Sequence, residues 1–95
     1  MPILSPAQID ASLAQLPGWQ QQGGELVQSF TFPDFVAAMR FVNNVADLAE
    51  AAGHHPDIDI RYNKVRLALS SHDAGGITEK DTALAASIAN TLRGR

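Results

Sequence analysis

Cysteine is absent from all 95 residues, which excludes disulfides and thiolate metal ligands and leaves packing and hydrogen bonds to hold the fold. No apolar run approaches the roughly 20 residues that cross a membrane as a helix, and no repeat or low-complexity tract is present. The opening MPILSPAQID lacks the basic segment, apolar stretch and small-residue cleavage site of a secretory signal. The expectation is a cytoplasmic protein that does not engage a membrane. Positive charge is scarce at first, since Arg40 is the one base in residues 1–60, against seven acids. Residues 61–95 then carry six bases and three acids. These bases are dispersed and the pI is about 5.4, whereas phosphate-binding surfaces cluster their bases and raise the pI. Direct nucleic-acid binding is therefore not expected, and a solvated face accounts for the bases.

What is present fits one domain over residues 1–95, too short for a second core. Ser5-Pro6 followed by Ala7, Ile9, Leu13 and Leu16 has a capping residue, a proline at the first helical position and helical spacing, stopped by Pro17-Gly18. Residues 19–22 and 25–32 read as strands around Gly23-Gly24. From Pro33 the period changes: Phe35, Ala38, Met39, Val42, Val45, Ala46, Ala49 and Ala52 define a long helix, closed by Gly53 and Pro56. Residues 57–72 alternate, with Ile58, Ile60 and Tyr62 on one side, a turn at Asn63-Lys64, and Val65, Leu67 and Leu69 on the return. Beyond Gly75-Gly76, Thr78 and Asp81 form a capping pair ahead of a stripe of Leu84, Ala85, Ile88 and Leu92. The order α-β-β-α-β-β-α predicts an α+β fold, a four-stranded antiparallel sheet with helices packed on one face.

The three histidines, His54, His55 and His72, all fall within residues 50–73. Three roles compete for them. Just past a helix C-terminus, His54 and His55 can simply meet the helix dipole and free carbonyls. As metal ligands they lack the usual alternate or i, i+4 spacing, and adjacent residues of an extended chain point apart. As an acid and a base on opposite sides of a small substrate they suit the task, because histidine ordinarily titrates near pH 6.5 and a positioned acid or base contributes roughly 10²- to 10⁴-fold. Strand parity directs His72 away from the Leu67 and Leu69 side, and spacing alone does not bring it to His54.

The full pattern is Glu50, three residues, His54-His55-Pro56, five residues, Tyr62, nine residues, His72, eight residues, Asp81. With YNKV and the segment from Ser71 to Gly76, it resembles the signature of the pterin-4a-carbinolamine dehydratases, also called dimerization cofactors of the hepatocyte homeodomain transcription factor. The resemblance implies a hydro-lyase that converts 4a-hydroxytetrahydrobiopterin to quinonoid dihydropterin and water, with no metal or organic cofactor. It implies His54 and His72 as the proton carriers and His55 as a pterin-binding residue. Glu50, one helical turn before His54, would hold an imidazole by hydrogen bond or stand as a solvated helix residue. Pro56 would fix the turn, and Asp81 would either point its carboxylate at the site or, the favoured reading, cap the last helix and act indirectly on residues 73–76. Tyr62 shares the parity of Ile58 and Ile60 and is expected in core or interface. Animal members carry aromatic residues where this chain has Ile58 and Asp59. The resemblance further implies a homodimer or homotetramer, and tetrahydropterin recycling with an aromatic amino-acid hydroxylase as pathway partner. The competing function is a protein-binding module on the same fold, an assembly factor or transcription coactivator without catalysis.

Overall fold

The computed structural model describes residues 2–93. Arg95, counted above among the bases, lies outside the described residues, as does the side chain of Arg93. The elements are α1 (Pro6–Leu13), β1 (Gln20–Gln22), β2 (Glu25–Thr31), α2 (Phe35–Ala52), β3 (Asp57–Arg61), β4 (Lys64–Leu69) and α3 (Glu79–Arg93). This is the expected α+β order. The strands form one antiparallel sheet, β1-β2-β4-β3, so the two hairpins join through β2 and β4. Directly opposed residues share a face of a sheet. Leu26 opposite Leu69 and Phe30 opposite Val65 therefore set the inner side, with Leu67 between them. All five are buried against Phe41, Val45 and Ala49 of α2 and Leu84, Ala85 and Ile88 of α3.

Each helix starts where its sequence offers a cap. Ser5 and Gln8 close a reciprocal capping box on α1, and Asp34 Oδ1 accepts from the Ala37 N–H at 2.8 Å to start α2, the arrangement that satisfies the free amides of a first turn. Gly53 ends α2 with φ +63°, a conformation L side chains resist, and its N–H reaches back to Glu50 O.

The structure departs from the expected elements in three places. Helix α1 stops at Leu13, with Leu16 reached by a turn instead. In α2 the buried set is Ala38, Phe41, Val42, Val45 and Ala49. Ala46 is exposed because it lies about 80° round the helix from Ala38. Phe35 and Ala52 are exposed at the helix ends, and Phe41, outside the expected stripe, is fully buried between the rings of Phe30 and Phe32. The second hairpin turns at Tyr62-Asn63, not Asn63-Lys64, with φ +54° at Tyr62. Leaving the strand ends the alternation there, so Tyr62 is 66% exposed and is not core. Ile58 and Ile60 do face the inner side, opposite Leu67 and Val65. They stay more than a third exposed because β3 is the sheet edge.

Candidate active site

The site forms where the end of α2, the segment after β4 and the start of α3 meet. Helix α2 stops at Gly53, and the His54 N–H still bonds to Ala49 O at 3.1 Å. The helix exit therefore fixes where the His54 ring begins. The ring is 12% exposed, and its Nε2 lies 2.5 Å from Oδ1 of Asp81, which is fully buried. Glu50, one turn earlier, meets His55 instead: Oε2 is 2.5 Å from His55 Nε2, on the surface. Pro56 follows and β3 begins at Asp57.

Asp81 is the third residue of α3 and faces two ways. Its Oδ2 accepts from the Thr78 N–H at 2.9 Å, which is the capping bond read from the sequence. The same oxygen accepts from Ser71 Oγ–H at 2.9 Å. With that hydroxyl committed, Thr78 Oγ1–H donates to Ser71 Oγ at 2.7 Å, and Thr78 Oγ1 accepts from the Lys80 N–H at 3.2 Å. The cap is thus one half of a buried network whose other half is His54. A carboxylate can only accept, so His54 Nε2 is the donor and the neutral ring keeps its lone pair on Nδ1.

His72 arrives by a loop, not by a strand. Strand β4 ends at Leu69, and Ser71 and Gly76 form an isolated bridge with Ser71 N–H to Gly76 O at 2.9 Å. Gly75, at φ +81°, lets the chain turn between them, with its N–H on Ser71 O at 2.9 Å. Parity along β4 therefore does not govern His72. The loop brings it to a cavity of about 440 Å³ lined also by His54, His55, Asp73 and Lys80. That volume falls in the range of small-molecule sites. All three histidines border this space, whereas Glu50 and Pro56 do not line it. No group of three or more His, Asp or Glu side chains is placed to hold a metal ion among the described residues.

Sequence reasoning missed Ser71, Thr78 as a link in the network, and Lys80 as a wall of the cavity. Thr78 and Asp81 were visible as a capping pair, and that motif was the one available signal for all three.

The fold and the cavity define an α+β protein with three imidazoles round a cavity of small-molecule size, one of them backed by a buried carboxylate. Comparison with known proteins makes this specific. The family model described as pterin 4 alpha carbinolamine dehydratase matches residues 2–91, and the chain belongs to that family. A protein of Chloroflexus aurantiacus named "Putative pterin-4-alpha-carbinolamine dehydratase" is 64% identical over 88 residues, covering 93% of this chain and 95% of that one. The crystal structure of a transcriptional coactivator/pterin dehydratase from Brucella melitensis superposes with a TM-score of 0.89 at 32% identity, covering 93% of this chain and 96% of that one. A pterin dehydratase-like protein identified as a RuBisCO assembly factor in the alpha-carboxysome is more distant. Its TM-score is 0.62 at 27% identity, over 80% of this chain and 87% of that one.

Proposed function

We propose that the chain is a metal-independent 4a-hydroxytetrahydropterin dehydratase, acting by histidine acid-base catalysis. The observation that carries this is the buried Asp81 carboxylate on His54 Nε2, in a cavity that also holds His72. In the substrate, C4a bears a hydroxyl and N5 bears a proton. His54 Nδ1 accepts the N5 proton as the C4a=N5 bond forms. The C4a–O bond breaks, and His72 delivers a proton to the departing hydroxyl, which leaves as water. The two rings then exchange protons with solvent to restore the starting state. The division of labour follows from partners: His54 is held at Nε2 by Asp81, and His72 has no side-chain hydrogen bond or ion pair in the described set. His55, held by Glu50 at the cavity rim, orients the pterin.

In this reading the product feeds tetrahydropterin recycling in the cytoplasm, and the carbinolamine comes from an aromatic amino-acid hydroxylase. The chain works as a homodimer or homotetramer. Exposed Phe35, Val36, Ile58, Ile60 and Tyr62 support self-association, since such apolar residues on small domains gain by being covered. The test is direct: purified protein should accelerate dehydration of a 4a-hydroxytetrahydropterin, and a folded preparation that gives no acceleration over buffer refutes the proposal. A second reading, a protein-binding or assembly module, is favoured by the roles named for the two structural relatives. A stoichiometric protein partner whose binding survives loss of His54 and His72 would support it.

A further inference from the structure

A second cavity, of about 290 Å³, opens beside the first. Its walls are Ala52 at the end of α2 and Ala83, Leu84 and Ser87 of α3, with Glu79 at its margin. Residues 80, 83, 84 and 87 are spaced by three and four and share one helix face. Small side chains at 52, 83 and 87 leave that face hollow. His54 and Lys80 border both cavities, so the second space adjoins the first at the ring that takes the proton. Lys80 is exposed, and its ammonium is in none of the ion pairs among the described residues. Its backbone is fixed by the capping bond to Thr78 Oγ1.

We infer that this groove is a subsite for the substituent on C6 of the pterin, and that it selects an extended substituent with a flat apolar body and an oxygen acceptor. The inference rests on the dehydratase reading and adds the substrate class to it. C6 is bonded to N5, the atom whose proton His54 takes. A substituent on C6 therefore leaves the ring beside His54, at the mouth of the groove. Its body lies along Ala52, Ala83 and Leu84, and a carbonyl or carboxylate oxygen meets the Lys80 ammonium. A carboxylate that missed Lys80 would face Glu79, so the acceptor has a defined place. A methyl or short polyhydroxyl substituent leaves the groove unfilled.

The test compares two stable ligands on the intact protein, 6-methyl-7,8-dihydropterin and a 7,8-dihydropterin whose C6 carries a p-aminobenzoylglutamate group. Binding is measured by calorimetry, and KM and kcat are measured for the matching 4a-hydroxytetrahydropterins. The aryl-bearing ligand is expected to bind about tenfold more tightly or better, the scale set by filling an apolar pocket. Ala83→Leu should reduce that preference to about twofold or less by filling the groove, and Lys80→Met should reduce it by about tenfold through the lost charged donor. Each preference is a ratio within one variant, so a general loss of binding cancels, and melting curves check the fold. Equal binding of both ligands, or a preference that persists in folded Ala83→Leu, overturns the subsite while leaving the dehydratase reading in place. If neither ligand binds and neither carbinolamine is dehydrated, the dehydratase reading falls and the subsite falls with it.

Discussion

Replacing Asp81 by Asn separates the two jobs of that side chain. Asn has nearly the same shape, and its Oδ1 can take over the Oδ2 role, accepting from the Thr78 N–H and Ser71 Oγ–H. Its other atom is an NH₂ that donates, so His54 Nε2 must become the acceptor and the ring proton must move to Nδ1. The cap survives and the base is lost. Hydrogen bonds to a charged acceptor are worth about 1.5–3 kcal/mol and neutral ones about 0.5–1.5. All three bonds to this side chain lose their charge, so Asp81→Asn should cost about 3 kcal/mol. For a chain of this size that lowers Tm by about 12–24 °C, and a domain with a typical 5–15 kcal/mol remains folded at 25 °C. Activity should fall much further, by about 10²- to 10⁴-fold in kcat, the contribution of a positioned base. Stopped-flow dehydration gives the rate, thermal melting gives the stability, and ¹⁵N shifts of the imidazole report which nitrogen carries the proton. A purely structural Asp81 would leave those shifts unmoved. If the variant keeps its rate within about threefold, or loses it with the proton still on Nε2, the proton-accepting role assigned to His54 Nδ1 is refuted.

Other changes test the remaining parts. Exchanging both His54 and His72 for Ala should lower kcat by about 10³-fold or more, whereas Glu50→Ala, in a pair on the solvent side, should act mainly on KM. Similar losses in kcat from the two would remove the distinction between proton carriers and rim. Gly18→Ala should destabilise by about 1–2 kcal/mol in a melt, because Gly18 has φ +88° and a Cβ there would stand 2.4 Å from Gln28 Nε2. Adding Gln28→Ala should relieve the contact but not the backbone strain, and full recovery would contradict this. Phe41→Ala should cost about 3–5 kcal/mol, since Phe41 is fully buried with ring centroids 4.7 Å from Phe30 and 5.0 Å from Phe32. Less than about 1.5 kcal/mol by denaturant titration would mean that the space closes over. Charging the β3 edge with Ile58→Lys and Ile60→Lys should lower the mass seen by light scattering to that of one chain, and an unchanged mass would exclude this edge as the self-association surface.

The sequence was most readable where one local rule decided the outcome. Ser5-Pro6, Gly53-Pro56 and the alternation from Val65 to Leu69 placed element ends and the inner face of β4 to within a residue or two. Phe41 was left off the stripe of α2, and Tyr62 was given a core alternative that the turn at that residue excludes. Phe41 is buried by two aromatic rings from β2 and the residue after it, and it stands three residues after Ala38 and four before Val45, so helical spacing admits it to the buried stripe. Tyr62 continued the parity of β3, but the chain turns at that residue, and a non-glycine residue at φ +54° is not a turn signal a sequence displays. In the site, the pattern from Glu50 to Asp81 was legible, but the pairing was not. Glu50 is four residues from His54 and five from His55, and the bond to His55 depends on how the chain leaves Gly53. His54 and Asp81 are 27 residues apart, and only the packing of α2 against α3 brings them together.

That separation makes the site a consequence of docking α3. Thr78 N–H and His54 Nε2 are satisfied by the two oxygens of one carboxylate, so the bond that starts α3 and the bond that orients the His54 ring form together. If α3 frays at its first turn, Asp81 leaves His54, Ser71 loses its acceptor, and the loop carrying His72 loses its tie to the helix. Loss of the Ser71 hydroxyl tests this coupling with little disturbance elsewhere. Ser71→Ala removes one bond to Asp81 and the acceptor of Thr78 Oγ1, at about 1–2 kcal/mol. Local opening at 78–81 should then become about 5- to 30-fold more frequent. Hydrogen exchange of the Thr78 and Asp81 amides should accelerate by that factor while amides of β2 and β4 change less. The rate constant for dehydration should fall only to the extent that the open form is populated. A variant with those amides still protected but the rate lost would locate the role of Ser71 in the reaction itself, and the coupling between cap and base would not hold.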